Sequence, residues 1–269
     1  MIIVIPLLLL LAADPAVSLH SAPIETGFRQ MYDLQFDKAH QSFGLWMREH
    51  PEDPMGPASD AAAYLFSEFN RLHILQSELF LHNDTFLNHN KPAPDGGIKQ
   101  KFEDALQRTE GLAERALSKD PLNLNAQFAN LMRFGLHSDY LALIEKKYVA
   151  SLTEVKASRA IAEKLLAAHP NLADAYLAVG VENYLLSLKP APVRWFLRIG
   201  GAETDKQAGI ADLSITAAHG NLFLPYARIL LAVAALRDRD KAKARELLQG
   251  LARDFPDNPL YKQELARLH

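Results

Sequence analysis

FDKAHQSFGLWMREHPEDP, from Phe36 to Pro54, carries the signal on which the fold turns. Phe36, Ala39 and Phe43 recur at steps of three and four, which sets them on one face of a helix, and Pro51 with a polar turn stops that helix. Three further stretches close alike: GLAERALSKDPLN (Gly111 to Asn123), AIAEKLLAAHPNLAD (Ala160 to Asp174) and DKAKARELLQGLARDFPDNP (Asp240 to Pro259). Pro121, Pro170 and Pro256 stand where Pro51 stands. Proline cannot continue a helix and pushes the residue before it out of the helical region, so each marks a corner after which a new helix starts.

On a repeat frame of roughly 34 residues, Gly27, Phe36, Ala39, Phe43 and Pro51 fall at the positions where small and large side chains interlock. Gly27 and Ala39 let two antiparallel helices approach, while Phe36 and Phe43 fill the space between successive helix pairs. The last unit repeats the pattern with Ala232, Ala244, Leu248, Leu251 and Pro256. The two middle units keep the proline with Ala116-Leu117 and Leu165-Leu166, and lack the aromatic and glycine positions. On these residues the chain resembles the tetratricopeptide repeat superfamily. Tyr176 to Gly209, with its Leu-Leu-Ser-Leu-x-Pro stretch, Trp195-Phe196-Leu197 and Gly200-Gly201, is similar to degenerate members exported by bacteria and to some eukaryotic relatives. The resemblance implies an all-α solenoid of antiparallel helical hairpins that binds a protein or peptide and performs no catalysis.

The expected architecture is about six irregular hairpins within one domain, 24–269, stacked as a rod whose final helix, 258–268, covers the exposed end. Two helices are expected to be long, 58–88 and 140–168, since neither range holds a breaker; a short amphipathic one is expected over 191–199. Composition agrees. The chain is 49% hydrophobic, enough for a packed core, and its 29 basic and 32 acidic residues are mixed along it, which gives no field to gather nucleic acid. Cysteine is absent, so disulfides, thiolate chemistry and Cys-ligated metal are excluded.

Met1 to Ala12 (MIIVIPLLLLLA) matches a signal-peptide hydrophobic region and is too short to span a bilayer as a helix. Ala16-Val17-Ser18 supplies the small residues of a cleavage site, so 1–18 reads as a signal peptide and the mature chain as periplasmic or secreted. No Lys or Arg precedes the apolar run, and the alternative reading is an anchor retained through residues 1–13.

Candidate chemistry is sparse. On the expected helix 58–88, Glu68, Arg71, Glu78 and His82 form a polar stripe beside the apolar one of Leu65, Phe69, Leu72 and Leu79. The stripe suits a partner-binding groove, and equally an ordinary exposed face with a Glu68 to Arg71 ion pair. Tyr184, Arg194 and Trp195 suit a partner's carboxylate or side chain, against a structural reading in which Trp195 caps an enlarged joint. The His82 to His89 region, with Asp84, is the alternative site for a metal, a small molecule or an enzyme, although no two of its histidines have helical metal-ligand spacing. His89 to Gly97 (HNKPAPDGG) reads as a breaker-rich loop, either a recognition element or an insertion. Acidic pairs such as Glu52-Asp53 and Asp238 with Asp240 sit in turns and read as helix caps. GxSxG, GxxxxGK[ST] and GxGxxG signatures are missing, and no cofactor or metal is called for.

Overall fold

The structure, a computed structural model, describes residues 20–75, 92–187 and 205–268. Among these it is all-helical and without strands. Eleven α-helices follow one another: α1 (Ala22–Tyr32), α2 (Phe36–Glu49), α3 (Met55–Arg71), α4 (Gly96–Lys119), α5 (Leu124–Asp139), α6 (Tyr148–Ala168), α7 (Tyr176–Ser187), α8 (Lys206–His219), α9 (Leu224–Arg237), α10 (Lys241–Asp254) and α11 (Pro259–Arg267). Each packs on its neighbour in sequence, and α3 also packs on α1 and α5.

The four proline corners share one geometry. His50, Asp120, His169 and Phe255 each end a helix with φ between −141 and −128° and an N–H bonded to the carbonyl four residues back, on Trp46, Ala116, Leu165 and Leu251. The proline that follows forbids the helical conformation at these residues and forces this exit. Side chains then start the next helix at three corners: Asp53 accepts from Met55 N–H at 2.9 Å, Asn123 from Ala126 at 2.9 Å and Asn258 from Leu260 at 2.9 Å.

A second kind of turn left no mark in the sequence. Leu34, His73, Lys146 and Arg239 have φ near 60°, a region most residues avoid, and none is glycine. At Leu34, His73 and Arg239 the next residue's N–H reaches back five positions, as in Ile74 to Phe69 at 2.7 Å. These turns correct both long-helix expectations. In place of the expected helix 58–88, α3 ends at Arg71 and His73 makes a left-handed turn, while 76–88 lie outside the described residues. The expected helix 140–168 divides, because a π-turn at Tyr140–Ile144 and the Lys146 turn precede α6.

Interlocking follows the sequence pattern. A Cβ on Gly27 would collide with the Phe43 ring, and Ala39, Phe43, Ala244 and Leu251 are fully buried. The centre of the molecule is aromatic: Phe28 meets Phe43 edge-on at 5.6 Å and Phe223 at 6.1 Å, Phe223 stacks on Phe128 at 5.6 Å, and Phe66 meets Tyr226 at 5.5 Å.

The expected rod with a capped free end is not what forms. The C-terminal helices return to the first: Arg29 donates to the Asp254 carbonyl at 2.9 Å, Gln35 to Asp257 at 2.7 Å and Asn258 to the Tyr32 carbonyl at 2.8 Å. Phe255 packs on the Tyr32 ring at 5.6 Å. The buried apolar face of α1 explains the closure, since Met31 and Tyr32 would otherwise face water at an open end. No helix among the described residues is long and apolar enough to cross a membrane.

Candidate functional site

Of the expected polar stripe, Glu68 and Arg71 share α3, which stops at Arg71, and Glu78 and His82 lie outside the described residues. Glu68 is 1% exposed. Its carboxylate receives Arg71 Nε and Nη2, both at 2.7 Å, and the backbone N–H of Asp95 at 2.9 Å. Arg71 donates further to the Ala93 carbonyl at 2.6 Å, and Asp95 caps α4 by accepting from Gly97 at 2.8 Å and Ile98 at 3.0 Å. The Glu68–Arg71 pair therefore clamps residues 93–95 to α3. Gly96 and Gly97, expected as loop residues, open α4.

Tyr184 is 4% exposed and belongs to the core. Burial raises the pKa of its hydroxyl, opposed by the Arg237 charge. Its neighbours Glu182 and Asn183 are buried against Arg159 of α6, with Asn183 Oδ1 2.8 Å from Arg159 Nη1 and Glu182 Oε2 3.6 Å from Arg159 Nε. Arg194 and Trp195 lie outside the described residues, as do His82, Asp84 and His89. Among the described residues, no three His, Asp or Glu side chains gather in a group able to hold a metal ion.

The concave feature is elsewhere. A cavity of about 70 Å³ lies at the centre, walled by α1, α3, α5, α6, α7 and the start of α9. Phe28, Met31, Phe66, Met132, Val155 and Phe223 make most of its wall apolar. Polar residues on the wall are Tyr32, Ser138, Ser158, Asp139 at the end of α5, and Tyr226 of α9, whose hydroxyl donates to Asp139 Oδ2 at 3.0 Å. Burial raises the Asp139 pKa to about 7, and the Tyr226 bond opposes the rise. Asp139 and Tyr226 are both half-buried. A π-turn begins immediately after Asp139. Such turns cost regular hydrogen bonding and are frequent at functional sites.

Sequence reasoning did not single out Asp139 or Tyr226. A signal existed: Met132, Gly135, Leu136 and Asp139 follow one another at helical spacing, so the carboxylate interrupts an inward apolar stripe. Asp174 was missed as well. It is 4% exposed and accepts the N–H groups of Asn221, Leu222 and Phe223 at 2.9–3.2 Å, tying the entry of α7 to the start of α9. No family model matches the chain, and neither the curated proteins nor the solved structures contain a match to it.

Proposed function

We propose that the chain is an exported, non-enzymatic scaffold of tetratricopeptide type, built as a solenoid of antiparallel hairpins, that binds a protein or peptide. The observation that carries this reading is the repetition of one corner geometry at Pro51, Pro121, Pro170 and Pro256. Between corners, helices such as α1 and α2 or α9 and α10 are joined by the same left-handed turn, at Leu34 and at Arg239. Stacked pairs of this kind fix their packing positions and leave their surfaces to recognition. Of the candidate contacts, Glu68 and Tyr184 are spent inside the fold. Arg71, whose side chain is 33% exposed, remains a candidate together with Glu78, His82, Arg194 and Trp195.

Selection of random peptides against the exported chain tests the proposal. A convergent sequence family that binds in the micromolar range, and that Arg194→Glu with Trp195→Ala weakens at least tenfold without altering the unfolding midpoint, is the expected result. Failure of any sequence to enrich over bare support would end the scaffold reading.

A further inference from the structure

We propose that the central cavity is a binding site for a small apolar amine, a compact hydrocarbon body whose single ammonium reaches Asp139. The site is independent of the peptide-binding surface proposed above.

Three observations on the cavity converge on this chemistry. The first is size. One water needs roughly 10–15 Å³ of such space, so a cavity of about 70 Å³ has room for an aromatic ring or a branched alkyl group. The second is charge. Asp139 lines the cavity and accepts from Tyr226, and among the described residues the other titratable group on the wall is Tyr32. Among the described residues, the guanidinium groups of the surrounding helices are engaged elsewhere: Arg29 to Asp254, Arg71 to Glu68, Arg133 to Glu110, Arg159 to Glu163, Arg228 to Asp254 and Arg237 beside Tyr184. Across the α5–α6 contact, Glu154 is paired with His137. No cationic side chain among the described residues acts on Asp139, so a ligand's own cation can balance its ionised form. The third is the wall itself. Phe28, Tyr32, Phe66, Phe223 and Tyr226 line the same cavity as the carboxylate, and aromatic faces attract cations. A ketone or a carboxylic acid could use a protonated Asp139, yet gains nothing from those faces.

Isothermal titration of the full chain at pH 8 with benzylamine, benzyl alcohol and benzoate tests the site. Wild type is expected to bind benzylamine at least tenfold more tightly than benzyl alcohol and to ignore benzoate. Asp139→Asn keeps an acceptor for the Tyr226 hydroxyl, and it is expected to weaken benzylamine at least tenfold while shifting benzyl alcohol by less than about twofold. Gly135→Leu fills the cavity, since a Cβ there meets only Ser158 Oγ at 3.7 Å, and should abolish both. Carbon-13 NMR of the Asp139 carboxyl gives a reading on wild type alone: saturating benzylamine should lower its titration midpoint by at least one pH unit. Equal affinity for amine and alcohol, undiminished amine binding in Asp139→Asn, an unmoved midpoint, or no binding of any probe at 10 mM would each overturn the proposal.

Discussion

Two aspartates, Asp174 buried and Asp139 half-buried, lie 35 positions apart on the same side of the chain's midpoint and are treated in opposite ways by the fold. Asp174 sits where α7 begins and α9 starts, and its two oxygens collect the N–H groups of Asn221, Leu222 and Phe223. The surroundings are shaped for it: a Cβ on Gly220 would stand 2.7 Å from Asp174 Oδ1 and 2.6 Å from the Thr216 carbonyl, so only glycine lets the corner close. Asp139 has one hydroxyl partner and a cavity beside it. Burial raises both pKa values, opposed by three N–H groups in the first case and by Tyr226 alone in the second. The lesson is that a raised pKa does not tell a structural carboxylate from a site carboxylate. The number of donors already spent on it does.

Removing each carboxylate is the most forceful way to break the contrast. Asp174→Ala strands buried donors at the α9 start and is expected to cost about 3–4 kcal/mol in urea unfolding at pH 7. A loss under about 1 kcal/mol would mean the corner is held by packing alone. Asp139→Asn should do the reverse at high pH. Its carboxyl moves from 3.8 to about 7 on folding, so its contribution to stability is complete below about pH 4 and is lost as the pH rises through 7. Wild type is therefore expected to fall about 2 kcal/mol relative to Asp139→Asn between pH 4 and 8, a figure reduced because Asp139 is half-buried. The His40–Asp60 and His137–Glu154 pairs are present in both proteins and cancel in the difference. A flat difference over that range would remove the distinction between the two aspartates.

What the sequence made legible follows the same division. The proline corners and the interlock of Gly27 with Phe43 are local, because a ring system and a missing side chain constrain their own neighbours, and both stand in the fold as expected. The left-handed turns at His73 and Lys146 were invisible, since no glycine or asparagine marks them and the apolar period runs on through each. Two expected long helices failed for that reason. Return of α10 and α11 to α1 was equally hidden: Asn258 and Tyr32 are 226 positions apart, and nothing in either local pattern names the other. The burial of one candidate residue was hidden in a related way. Glu68 was rightly paired with Arg71, but its burial depends on the Asp95 backbone, which arrives from across a loop.

Two milder substitutions sharpen the contrast by touching the partners of the carboxylates. Thr216→Val removes the hydroxyl that donates to the Ala173 carbonyl at 2.8 Å beside Asp174, and is expected to cost about 1 kcal/mol equally at pH 5 and pH 8. Tyr226→Phe removes the one hydroxyl on Asp139, and here the effect should depend on pH. A hydroxyl donor favours the ionised carboxylate over the acid, and its loss must raise the Asp139 pKa above its wild-type value near 7. Near pH 5 the carboxyl is protonated in both proteins, so the substitution should cost only about 0.5 kcal/mol. At pH 8 the ionised group loses its sole donor, and the cost should about double. Carbon-13 titration of the Asp139 carboxyl reads the shift directly, without any unfolding. An unchanged midpoint would show that water in the cavity already supplies the hydrogen bond, and the difference between a saturated and an unsaturated aspartate would then be one of solvent access rather than of protein donors.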